Sequence, residues 1–146
     1  MFKIEITNRC PDLPSPSRAT PRSAGFDLRA AVEEPLTLAP GDRVLVPTGI
    51  SMAVPRGHEA QVRPRSGLAL EHGVTLLNSP GTVDSDYRGE LKVIMINHGQ
   101  EPFVIKRGDR IAQFVIAQTA NCELVVVNQL DQTERGEGGF GSSGRE

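Results

Sequence analysis

An all-β fold is predicted by three observations: short apolar runs, turn-forming residues between them, and little helical periodicity. The runs recur between Gly, Pro, Asn and Asp, and the chain of 146 residues holds 15 glycines and 11 prolines. Brief strands at such spacing are the sequence pattern of a sandwich or barrel. At this length, with 38% hydrophobic and 23% charged residues, one globular domain with a modest core is expected.

In chain order the expected strands are 3–6, 26–30, 36–38, 43–47, 50–54, 59–65, 74–78, 91–97, 103–105, 110–117 and 123–128. Residues 10–21 carry four prolines and few apolar side chains, which predicts an extended surface loop. The single helix is expected at 66–71, with Ser66 as its N-cap and Leu68 and Leu70 facing inward. Residues 107–109 read as a turn entering the strand at 110–117. The last twelve residues, 135–146, include five glycines, and Phe140 is their only large apolar side chain. Such a tail cannot fold alone, so it is either a disordered terminus or a lid ordered by a ligand. No internal repeat is evident.

Composition also excludes classes of function. A net charge of -2 and the lack of a polybasic block argue against a nucleic-acid binder held by bulk electrostatics. An anionic ligand must therefore meet a local arginine cluster. The N-terminus lacks an apolar run of signal-peptide length, and the runs at 93–96 and 124–127 are far too short to span a bilayer. A soluble, cytoplasmic protein is expected. Cys10 and Cys122 are too few for a disulfide framework and read as free thiols. His58, His72 and His98 lack metal-ligand spacing, and no G-x-S-x-G elbow occurs, so neither a zinc site nor a serine triad is supported.

Five stretches carry the chemistry. In GTVDSDYRGE at 81–90, two carboxylates, Asp84 and Asp86, stand beside Tyr87, the only tyrosine. On a hairpin arm of period two, the aspartates share one face and Tyr87 projects to the other. The stretch reads as a small concave site or as an ordinary polar turn. In PRSGLA at 64–69, the helix start places the Ser66 hydroxyl and the Ser66 and Gly67 amides beside Arg65. That arrangement favours a phosphate, or is a helix cap flanked by solvated arginines. AGFDL at 24–28 sets one acid, Asp27, in an apolar strand. RGDRIAQ at 107–113 ends in Gln113, within reach of a ligand. In RGEGGFGSSG at 135–144, Arg135, Phe140, Ser142 and Ser143 are groups that a phosphorylated nucleoside can use.

In this order and over nearly the whole chain, the five stretches resemble the trimeric deoxyuridine triphosphate nucleotidohydrolases, the dUTPases. The resemblance implies a distorted β jelly roll, or β-clip barrel, with one short helix, assembled as a homotrimer with active sites at subunit interfaces. It implies a jelly-roll domain at 1–133 followed by a flexible lid at 134–146. It also implies magnesium-dependent hydrolysis of dUTP to dUMP and pyrophosphate, which supplies dUMP for thymidylate synthesis and keeps uracil out of DNA. No nucleic-acid or membrane partner is expected.

Position by position, the resemblance implies that Asp84 activates the attacking water and that Tyr87 packs under deoxyribose, excluding a 2'-hydroxyl. The hairpin backbone from Asn78 through Thr82 and Val83 to Asp84 would read uracil, and Lys92 would close the pocket through its backbone. Arg65, Ser66, Gly67 and Gln113 match the residues for the inner phosphates. Arg135, Gly141, Ser142 and Ser143 match those around the γ-phosphate, and Phe140 matches the aromatic that covers uracil. The pattern gives magnesium no direct protein ligand and leaves Asp27 a contact through water. Asp86 is expected to pair with Arg110 or another arginine and to support the hairpin. Two other readings compete: a deoxycytidine triphosphate deaminase of the same fold, alone or bifunctional, and a non-catalytic nucleotide-binding module. The first needs a glutamate beside the base where this chain has an aspartate-tyrosine hairpin; the second would have lost the base or the tail.

Overall fold

β-Branched and aliphatic runs broken by glycine and proline produce eleven strands and one helix in the computed structural model, which describes residues 3–140 and 142. The strands are β1 (Glu5–Asn8), β2 (Phe26–Arg29), β3 (Leu36–Leu38), β4 (Arg43–Pro47), β5 (Ile50–Ala53), β6 (His58–Arg63), β7 (Val74–Leu76), β8 (Gly81–Val83), β9 (Lys92–Asn97), β10 (Phe103–Ile105) and β11 (Arg110–Gln118). Helix α1 (Ser66–His72) lies between β6 and β7. A four-stranded sheet in the order β2-β11-β6-β8 and a three-stranded sheet in the order β4-β9-β7 are joined by the ribbons β1-β5 and β10-β3. Every pairing is antiparallel. The result is a distorted jelly roll. No helix among the described residues is long and apolar enough to cross a membrane.

Alternation along these strands sends Leu28, Leu38, Val46, Val93, Met95, Ile105 and Ile111 into one core, each nearly or fully buried. Asn97 is buried with them, and its amide is satisfied: Nδ2 donates to the carbonyls of Leu38 and Glu101 at 2.9 and 2.8 Å. Its Oδ1 accepts the Gly99 N–H at 2.8 Å. A buried amide with all these partners fixes the loop between β9 and β10 rather than destabilising the core.

Several expectations are corrected. Residues 123–128 form no strand; they are exposed coil, with Leu124 and Val126 more than 90% accessible, because no strand of the same chain lies beside them. Apolar β-prone side chains without a partner gain nothing from extension. The helix begins after Arg65, an extended N-cap that makes no side-chain capping bond, so Ser66 is its first residue and not its cap. Leu68 packs against the core, but Leu70 is 89% exposed. Residues two apart on a helix point to nearly opposite sides, so the two leucines cannot share a face. Gly73, at φ 67°, ends the helix and donates its N–H to the Ala69 carbonyl. The strand expected at 59–65 stops at Arg63, before Pro64, and 81–83 pairs with β6 as a strand of its own.

Candidate active site

The hairpin that follows β8 is built by tertiary bonds as well as by turn residues. β8 ends at Val83, and the Tyr87 N–H donates to the Asp84 carbonyl at 3.2 Å, closing a turn over 84–87. Strand alternation therefore ends before Asp84, and of the two aspartates expected to share a face only Asp84 lines the cavity beside the turn. Asp86 lies exposed at the turn and forms no ion pair among the described residues. Arg110, its expected partner, is instead bonded to Asp27. The Arg88 guanidinium donates to the carbonyls of Ser85 and Tyr87, both at 2.8 Å, and clamps the turn from outside.

Under this turn is a cavity of about 310 Å3 lined by Thr82, Val83, Asp84, Tyr87, Glu90 and Lys92. Leu45, Val62 and Leu91 form its apolar floor. The Tyr87 hydroxyl donates to the Glu90 carbonyl at 3.0 Å, and its phenol covers Gly89 so closely that a Cβ there would overlap it. Asn78 is exposed beside the cis Ser79–Pro80 bond, with its side-chain nitrogen near Gly81. The space suits a flat apolar ring with polar edges and a carboxylate at the rim.

A second cluster gathers AGFDL, PRSGLA and RGDRIAQ. Asp27 on β2 is 19% exposed at its side chain, and its two oxygens stand 3.7 Å from Arg65 Nε and 3.2 Å from Arg110 Nη1. Arg65 Nη1 donates to the Arg110 carbonyl at 2.9 Å, and Gln113 Nε2 donates to the Pro64 carbonyl at 3.1 Å. Gly25 lets the Gln113 amide lie against the backbone, and a Cβ there would displace it. Ser66 and Gly67 are exposed beside the cluster. Two guanidiniums and free helix-start amides on one surface form a ready anion site.

The tripeptide at 107–109 is wholly engaged in folding. Arg107 donates to both carboxylate oxygens of Asp12, at 2.8 and 2.9 Å, and to the Val32 carbonyl at 3.2 Å. This fork straps the proline-rich loop to the turn before β11. The hydrogen bond from Arg107 holds the Asp12 carboxyl below its ordinary range, and the Asp12 and Cys10 contacts raise Arg107 further. Asp109 accepts the Lys106 N–H at 2.8 Å.

One chain does not bring the hairpin and the arginine cluster together. In the β6-β8 pairing Val62 faces Gly81 and Ala60 faces Val83, so β8 runs away from Arg65. Arg65 lies five positions beyond Ala60, and at about 3.3 Å per residue Val83 and Arg65 stand roughly 17 Å apart. Among the described residues the tail joins neither surface: Phe140 is fully exposed, Ser142 donates its N–H back to the Gly139 carbonyl, and Arg135 Nε donates to the Gly138 carbonyl at 2.7 Å. Gly141 and Ser143, assigned to the phosphate end, lie outside the described residues.

The dUTPase family model matches residues 12–144. The chain belongs to the dUTPase family. It is 57% identical to a deoxyuridine 5'-triphosphate nucleotidohydrolase of Anaeromyxobacter sp. (strain Fw109-5), over 96% of this chain and 94% of the relative. Among solved structures it superposes on a Staphylococcus bacteriophage 80alpha dUTPase variant carrying dUpNHpp, with a TM-score of 0.85, 24% identity and 99% of each chain covered. A phage phi11 dUTPase from S. aureus, described with a structural Mg(II) ion, aligns with a TM-score of 0.79 at 20% identity, covering 88% of this chain and 98% of that one. These two likenesses concern the fold.

Seen from this member of the dUTPase family, sequence reasoning missed the groups that hold the hairpin from behind. Thr48 Oγ1 donates to the Leu91 carbonyl at 2.6 Å, and Glu90 Oε1 accepts the Gly49 N–H at 2.8 Å. Neither pairing has a local signal, since the partners are more than 40 residues apart.

Proposed function

We propose that the protein hydrolyses dUTP to dUMP and pyrophosphate at sites shared between the subunits of a homotrimer, in the cytoplasm, supplying dUMP and removing dUTP from the DNA precursor pool. The observation that carries this reading is the hairpin cavity, with Asp84 at its rim and Tyr87 as its wall, in a chain 57% identical to a named deoxyuridine triphosphate nucleotidohydrolase.

Uracil presents an acceptor, a donor and an acceptor along one edge, which the backbone from Asn78 through Thr82 and Val83 to Asp84 complements, with Lys92 closing the pocket by its own backbone. Tyr87 occupies the space a 2'-hydroxyl would need, so ribonucleotides are turned away by a clash. Asp84 accepts a proton from water as the water oxygen bonds to the α-phosphorus. The bond from that phosphorus to the bridging oxygen breaks, and pyrophosphate leaves. Arg65, Ser66, Gly67 and Gln113 hold the inner phosphates, while Arg135, Gly141, Ser142 and Ser143 close on the γ-phosphate and Phe140 stacks over the base. The jelly roll at 1–133 is thus the body and 134–146 its lid.

The separation of roughly 17 Å along the strand is the reason for the shared site. A base must stand within about 3 Å of the water it activates, and the phosphates of that same substrate need Arg65. One copy's hairpin therefore meets another copy's arginine cluster. The donors fit magnesium carried by the substrate: Asp27 is a hard oxygen donor already held between Arg65 and Arg110, suited to a contact through water. When bound, the ion offsets phosphate charge.

The decisive experiment incubates the protein with magnesium and each of dUTP, UTP, dCTP and dTTP while measuring pyrophosphate and ammonia. Pyrophosphate from dUTP alone is expected. Ammonia from dCTP would replace this reading with a deaminase.

A further inference from the structure

We infer that Glu90 is a positioning residue for sugar discrimination, acting through the Tyr87 hydroxyl; this rests on the proposed role of Tyr87 at the same site. Tyr87 is 44% exposed, so packing alone does not fix its ring. Two contacts do: the ring covers Gly89, and the hydroxyl donates to the Glu90 carbonyl. That carbonyl belongs to the peptide group joining Glu90 to Leu91, whose N–H donates in the opposite sense to the Ile50 carbonyl at 2.7 Å. The orientation of this one peptide plane therefore sets where the phenol stands.

The Glu90 side chain fixes the other end of the plane. Its Oε1 accepts the N–H of Gly49 at 2.8 Å, in the turn between β4 and β5 where Gly49 is buried at φ 69°. Its Oε2 lies 4.0 Å from Lys92 Nζ, a looser contact. Four-fifths of the Glu90 side chain is shielded from water, so this bond is partly protected from competition. Removing the carboxylate leaves the Gly49 N–H without an acceptor and the Glu90 peptide held on one side only, by the Leu91 bond to Ile50. The phenol would then follow its carbonyl, and the wall against a 2'-hydroxyl would loosen. No group of Glu90 needs to touch substrate for this to act.

The test compares kcat/KM for dUTP with that for UTP in the wild type, Glu90→Ala, Glu90→Asp, Glu90→Gln and Tyr87→Ala, with thermal midpoints alongside. Glu90→Ala should lower the dUTP preference by about tenfold or more, since small displacements at a reacting site cost that much. Glu90→Asp, which withdraws the carboxylate by one methylene, should move the same way and serves if the alanine variant does not fold. Glu90→Gln should stay near wild type, because its amide oxygen still accepts from Gly49. A lowered midpoint with an unmoved preference in Glu90→Ala and Glu90→Asp would mean a merely structural role and would overturn the inference, provided Tyr87→Ala admits UTP. Loss in Glu90→Gln equal to that in Glu90→Ala would overturn the Gly49 bond as the cause. Continued rejection of UTP by Tyr87→Ala would remove the role of Tyr87 itself, and the inference with it.

Discussion

The hairpin at 81–92 and the tail at 134–140 and 142 both use glycine, yet they are held in opposite ways. Hairpin bonds reach across the chain, from Thr48 to Leu91 and from Gly49 to Glu90. Tail bonds span three residues: Gly136 to Thr133, Gly138 to Arg135 and Ser142 to Gly139. Local bonds shape a turn but do not fix its direction relative to the body. Under the proposed function a preformed cavity would aim the general base before substrate arrives, whereas the tail would be ordered by the ligand it covers, at a cost in chain entropy.

The largest test of this contrast is Asp84→Asn. It should lower turnover by about 10²–10⁴-fold while leaving the affinity for a non-hydrolysable dUTP analogue nearly unchanged; near-normal turnover would remove Asp84 as the base. Next is truncation after Thr133. Loss of Phe140 stacking, about 1–3 kcal/mol, should lower kcat/KM by about 10–100-fold or more once the γ-phosphate contacts are gone too. Its Tm should barely move, and a large fall would make the tail part of the folded body.

Thr48→Val probes the anchoring of the hairpin. The buried Leu91 carbonyl loses its donor, which should cost about 1–3 kcal/mol in denaturant melts; an unchanged midpoint would show that Thr48 contributes no anchoring. The smallest effect is expected at the strap, where Asp12 is exposed like the tail but ion-paired. Its carboxyl lies below the ordinary value of 3.8, so the folded state gains stability above that pH and loses it as pH falls through the lowered pKa. Asp12→Asn should lower Tm slightly at pH 7, and the two curves should converge in acid. A gap that persists in acid would assign the effect to something other than the carboxylate charge.

Local patterns made most strands legible, since β-propensity and turn chemistry act over a few residues. The same reasoning failed at 123–128, where β-prone residues have no neighbouring strand, and at Leu70, where helical geometry overrides the count of leucines. At the site, Asp84 and Tyr87 were singled out because the stretch around them matches the family pattern, an aspartate in a turn being ordinary by itself. Glu90 and Thr48 were not, because their partners are set by how β4 and β5 pass behind the hairpin.

By itself the sequence determined the all-β class, the positions of the turns and the ordered motifs that mark the family, because each is carried by neighbouring residues. Only the tertiary structure decided which motifs share a surface. It joined Asp27 to Arg110 across 83 residues and Asp12 to Arg107 across 95, and it ran β8 away from the end of β6 that leads to Arg65. Such pairings depend on strand order and register, which no short window of residues encodes.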